Sequence, residues 1–159
     1  MEKKNKKGFT LIELLVVVAI MGLMAALAIV SLNQARAKAR DARRVADIKQ
    51  IQTALELYYM DQNKYPDAPA TGVIDGALCL GGGGFGAPGS CGAPVYMGLV
   101  PSNPMPRADG ACADTNYTYA VTTNGSSVNT SYHITWCLGA KTGELGSGIH
   151  RATPAGLID

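Results

Sequence analysis

Apolar positions in this chain crowd toward one end. Between residues 14 and 35 there is no charged side chain. The stretch 9–35 exceeds the roughly 20 apolar residues that a bilayer-spanning helix needs. Past residue 35 the pattern changes. Val45, Ile48, Ile51, Leu55 and Tyr58 recur in steps of three and four, the period of a helix with one apolar face. Asp41 with Arg44, and Arg43 with Asp47, stand at helical pairing distances. Neither proline nor glycine occurs between Met24 and Pro66. One continuous helix of about 54 residues, roughly 80 Å long, is predicted. The run Asp61-Gln62-Asn63-Lys64 followed by Tyr65-Pro66 ends it.

Beyond the helix the signals turn to strands. Residues 117–123 and 128–138 alternate apolar with polar, and Asn124-Gly125 between them is a two-residue hairpin signal. Folding about that dipeptide sets Tyr117 opposite Tyr132, Tyr119 opposite Thr130 and Val121 opposite Val128. With Ile134 and Trp136 these give one apolar face to cover the helix stripe. A longer turn through Ser126-Ser127 would shift that register. Thr118, Thr122, Asn129, Ser131 and His133 make up the other face, expected to be solvated. A third strand is expected after Lys141-Thr142-Gly143. Residues 67–110 are rich in glycine and proline. The run 81–84 lacks the lysine of a phosphate loop and reads as a flexible surface loop. The fold class expected is α+β: a long N-terminal helix packed against a small C-terminal antiparallel sheet.

Charge changes the picture only through its placement. The net charge is +2. Lys3, Lys4, Lys6 and Lys7 against Glu2 give the first eight residues +3, leaving ten basic and eleven acidic side chains beyond them. Without those eight residues no basic character remains to suggest nucleic-acid binding. Lysines precede the apolar run and Arg36, Lys38, Arg40, Arg43 and Arg44 follow it, so counting positive charges does not orient it.

The four cysteines, Cys79, Cys91, Cys112 and Cys137, all lie beyond the apolar run. None forms a CxxC or stands at zinc-ligand spacing from a histidine. Disulfides in an oxidising compartment are the better reading, which places the C-terminal part outside the membrane. Cys112 and Cys137 are each twelve residues from their side of the hairpin turn. They would face each other if the ladder ran that far, leaving Cys79 with Cys91, one of three possible pairings. His133 and His150 read as surface residues. Acids and histidines are too scattered for a catalytic cleft, and no metal or cofactor is expected. Asn116, Asn124 and Asn129 each open an N-x-[ST] sequon, a frequency chance can give in so polar a domain.

Glu13 is the unusual residue. A carboxylate at the entry of an apolar helix either snorkels to the headgroups or has a function. Lys6-Lys7-Gly8-Phe9-Thr10-Leu11-Ile12-Glu13-Leu14-Leu15-Val16-Val17 resembles the leader and cleavage site of type IV pilins and type II secretion pseudopilins. The resemblance implies that prepilin peptidase cuts after Gly8 and that Phe9 becomes the N-methylated first residue. It also implies that Glu13 sets the register of subunits in a filament by pairing with a neighbour's amino terminus. Four regions follow: 1–8 as cleaved leader, 9–35 as transmembrane and filament-core helix, 36–63 as its amphipathic continuation, and 64–159 as a loop-and-sheet domain. Before assembly the chain would be a single-pass protein of the cytoplasmic membrane, its N-terminus cytoplasmic. It would then join a periplasmic or surface filament through an inner-membrane assembly platform.

Two features depart from the family. Val30 stands where many pilins have a proline beyond Gly22, which could itself soften the helix or allow close packing. The segment Tyr96-Met97-Gly98-Leu99-Val100-Pro101-Ser102-Asn103-Pro104 resembles one preceding the sheet of major pseudopilins, but Asn103, Met105 and Pro106 break its pattern. That weakens a carried-over calcium site and tilts the reading slightly toward a pilus subunit over a secretion or competence pseudopilin. Tyr58-Tyr59, Tyr65-Pro66 and the tail 148–156 also resemble pilin-like proteins. A minor pilin acting as an adhesion module is a further alternative. So is an exported enzyme whose signal peptide is cut after Ala26-Leu27-Ala28, with its N-terminus at Ile29.

Overall fold

The computed structural model describes residues 8–124 and 128–158. Seven of the eight residues expected to form a leader, and Gly125 of the hairpin dipeptide, lie outside the described residues. Helix α1 runs Leu11–Gln62. Asn63 ends it in the left-handed region (φ 54°), its N–H donating to the Tyr59 carbonyl at 2.8 Å. Asparagine tolerates that conformation better than most residues, so it serves as the C-terminal cap.

The chain divides into two units, one up to Arg36 and one from Ala37 onward. In the first, α1 is long and apolar enough to cross a membrane. Its side chains Leu14, Val18, Leu23 and Ile29 are all more than half exposed.

In the second unit the expected stripe is the buried one. Ile48, Ile51, Ala54, Leu55 and Tyr58 are buried and Val45 partly so. Each fully buried aliphatic side chain contributes roughly 1.5–3 kcal/mol. Opposite them lie Tyr117, Tyr119, Tyr132, Ile134, Trp136, Leu138 and Ala152. A five-stranded antiparallel sheet carries these in the order β1 (Val73–Ile74), β5 (Tyr117–Asn124), β6 (Val128–Leu138), β7 (Gly148–Thr153) and β8 (Gly156–Ile158). Strand β7 is the third strand expected after the Lys141 turn; β8 and β1 had no clear sequence signal.

The register differs from the one read off Asn124-Gly125. Tyr119 pairs with Ile134, Val121 with Tyr132 and Asn124 with Val128, with a bulge between Thr122 and Thr123. Tyr117 and Tyr119 therefore do not face Tyr132 and Thr130. In the outer part of the hairpin the shift moves each partner by four residues. An even shift leaves the same side chains on the core face, so the apolar face survives the error. At the bulge the shift is odd, and Asn129 turns inward. It is buried, donating through Nδ2 to the Tyr65 carbonyl (3.1 Å) and to Asp67 Oδ1 (2.8 Å). The expectation that Asn129 is solvated is thereby corrected.

Residues 81–84 are not a flexible surface loop. Strands β2 (Cys79–Gly81) and β3 (Gly84–Gly86) pair antiparallel, and β4 (Val95–Met97) adds to β2. A Cβ on Gly81 would run into the Gly92 backbone. The glycines are there so that two backbones can touch beside the Cys79–Cys91 disulfide.

Candidate functional site: the helix entry

Gly8, Phe9 and Thr10 precede the helix in a non-helical conformation and are exposed. The peptide bond between Gly8 and Phe9 is thus outside the hydrogen-bonded helix and open to approach. Thr10 accepts the first helical bond, from Leu14 N at 3.3 Å. Its own N–H and hydroxyl both donate to Glu13 Oε2, at 3.0 and 2.6 Å. In return the Glu13 N–H donates to Thr10 Oγ1 at 3.3 Å. This is a capping box: the first residue's oxygen satisfies one orphan amide and the third residue's carboxylate reaches back to another. The carboxylate also sits at the positive end of the helix dipole.

The reciprocal geometry changes how Glu13 is understood. Within the chain it is not a bare charge on a greasy helix, because Thr10 supplies two donors. Both bonds go to one oxygen. The sequence carried the signal, Thr-x-x-Glu ahead of an apolar run, but the apolar surroundings drew attention to the cost of the charge and away from its local partner.

The other candidate residues lie elsewhere. Disulfides join Cys79 to Cys91 and Cys112 to Cys137. The ladder argument does not describe the second: β5 begins at Tyr117, and Cys112 sits in a turn bridged to Asp109. Gly110 (φ 57°) in that turn lies against Gly139, where a Cβ would strike the Gly139 carbonyl. This crossing carries Cys112 to the end of β6.

His150 is not a surface residue. It is 2% exposed, its ring centroid 5.2 Å from that of Trp136 and its Nε2 3.0 Å from the Gly146 carbonyl. Two sequons have their amide nitrogens engaged: Asn129 as above, and Asn116, which donates to Asp75 at 3.0 Å. Among the described residues no three His, Cys, Asp or Glu side chains converge to hold a metal ion.

The chain thus joins a short non-helical segment, a capped apolar helix and antiparallel sheets. The family model for the prokaryotic N-terminal methylation motif matches residues 3–29. The chain is similar to type II secretion system core protein G of Aeromonas hydrophila, 39% identical over 66 residues, which is 42% of this chain and 46% of that protein. The proteins of that name from Pseudomonas aeruginosa (39% over 66 residues) and Vibrio cholerae serotype O1 (39% over 67 residues) are covered to the same shares. The chain thus matches just under half the length of these relatives. No solved structure matches it. Both likenesses agree with the type IV pilin and pseudopilin family, a structural family and not one of enzymes.

Proposed function

We propose that this protein is a subunit of a pilin-like filament, cut after Gly8 by prepilin peptidase, methylated on Phe9 and polymerised through its apolar helix. The reciprocal Thr10–Glu13 box at the start of an apolar helix carries the reading. Before assembly the box keeps the carboxylate hydrogen-bonded, which lowers the cost of holding it near lipid. On assembly the amino group of a neighbouring Phe9 supplies the opposite charge. Away from water such a pair is strong, and a misplaced subunit would leave both charges unpaired. The correct stagger is selected in this way.

Similarity to type II secretion system core protein G favours a secretion pseudopilin, alongside the pilus subunit that Asn103, Met105 and Pro106 suggest. The subunit sits in the cytoplasmic membrane with its N-terminus inside and its disulfide-bonded domain outside, and enters the filament through an assembly platform. Mass spectrometry of the mature N-terminus tests the proposal. Methylated phenylalanine at position 9 is expected; a chain beginning at Ile29, or one keeping residues 1–8, overturns it.

A further inference from the structure

Five cations follow the apolar run closely: Arg36, Lys38, Arg40, Arg43 and Arg44. The folded domain takes up three of them. Arg44 is buried against Asp41, and Arg40 pairs with Asp109 at 2.6 Å. Arg43 is exposed, but its charge acts on Asp47, one turn along α1. Arg36 and Lys38 are exposed and stand outside the ion pairs of the described residues. No acid occurs between Glu13 and Asp41. Asp41 is committed to Arg44 and to the amides of Gly139 and Ala140. Neighbours three or four positions away on the helix therefore offer these two cations no free carboxylate.

Helix length gives their place. Residues 14–32 carry no charge and rise about 28 Å as a helix, close to the roughly 30 Å of bilayer hydrocarbon. The polar Asn33 and Gln34 come next, then Arg36 and Lys38. With Glu13 at one face of a bilayer, those two cations fall among the headgroups of the other. Headgroup phosphates there supply negative charge that the chain does not. The alkyl stems can lie back along the edge of the hydrocarbon while the charged ends reach the phosphates.

We propose that Arg36 and Lys38 bind anionic phospholipid headgroups on the face of the membrane opposite the helix entry. This rests on the membrane-spanning reading of α1 and adds a lipid preference to it. The contact is made between exposed charges, so it weakens with salt.

The test uses the full-length chain with Lys3, Lys4, Lys6 and Lys7 changed to Gln, so that these lysines cannot bind lipid. It is placed in nanodiscs of equal parts phosphatidylcholine and phosphatidylglycerol, and native mass spectrometry reads which lipid stays bound on release. Phosphatidylglycerol should be favoured by roughly fivefold for each cation at the headgroups, and the preference should fall as ammonium acetate is raised. Adding Arg36→Gln and Lys38→Gln should remove most of it. Adding Lys64→Gln, an exposed cation beyond the helix, should leave it unchanged. If no preference is seen, or if Arg36→Gln with Lys38→Gln leaves it intact, the inference fails while α1 still spans the bilayer. If Lys64→Gln lowers it as far as the pair does, the preference belongs to the chain's charge at large and the inference fails as well. If alkali strips the chain from vesicles of the same lipids, the membrane reading and the inference fail together.

Discussion

Asp41 and Arg44 form an ion pair at 2.6 Å inside the protein, with the side chains 1% and 0% exposed, one turn apart on α1. The sequence spacing allowed a surface pair of little consequence; the structure makes it a hub. Arg44 also donates to Asn103 Oδ1 at 2.9 Å and to the carbonyls of Pro106 and Arg107. Asp41 takes the Gly139 and Ala140 amides. One pair thereby ties the helix to two separate loops.

Removing one partner should therefore be severe. Arg44→Leu leaves Asp41 buried without its cation, at a cost of roughly 3–5 kcal/mol. Thermal melts of the full chain in detergent should show a large fall. Lys38→Leu, an exposed basic residue on the same helix, should change the melt little.

A second expectation concerns pH. Burial pushes the phenols of Tyr117, Tyr119, Tyr132 and Tyr65 well above their ordinary range. Nearby acids add to it: Asp47 beside Tyr117, Glu56 beside Tyr65 and Tyr132. A group whose folded pKa is raised stabilises fully below its unfolded value, about 10 for tyrosine. That stability is lost as pH climbs toward the folded value. Alkaline unfolding should set in above about pH 10, with tyrosinate absorbance rising together with loss of circular dichroism. Tyrosines that ionise gradually, without unfolding, would contradict it.

Asp47 acts with the opposite sense at acid pH. Burial raises its pKa, offset in part by the Tyr117 bond and by Arg43. Its charge costs stability at neutral pH, and that cost fades as pH falls through the raised value. Asp47→Asn should melt no lower than the parent at pH 7, and its advantage should shrink on acidification.

Close backbone crossings give a fourth prediction. Gly110→Ala forces a Cβ into the Gly139 carbonyl at a positive φ, and neither backbone has room to move. A loss of about 1–3 kcal/mol is expected. The same change at Gly146, where a Cβ meets nothing, should be close to neutral.

At the helix entry, cap and charge can be separated. Thr10→Val removes the hydroxyl from the box and should cost about 1 kcal/mol of local helix stability, seen as faster amide exchange at Ile12 and Glu13. Glu13→Gln keeps an acceptor near Thr10 but removes the charge. It should be processed normally and yet enter filaments poorly. Normal incorporation of Glu13→Gln would argue against the charge as the register device.

Much of the architecture was written in local pattern. An uncharged run of more than twenty residues has no way to be soluble as a helix alone, and a three-four step of apolar residues buries one face whatever covers it. Those two facts give the long helix, its change of character near residue 36 and the stripe Ile48, Ile51, Leu55 and Tyr58. Alternation in the hairpin likewise determined which tyrosines face the core, because a side chain's face depends only on parity. Where register depends on how distant segments pack, the local pattern misled: Tyr119 meets Ile134 and not Thr130. The bulge that turns Asn129 inward, the small sheet over the glycines at 81–84, the burial of His150 and the loops gathered by Arg44 arise only when distant segments compete for the same space. Hydrogen-bond satisfaction in that crowded interior, not any local preference, decided them.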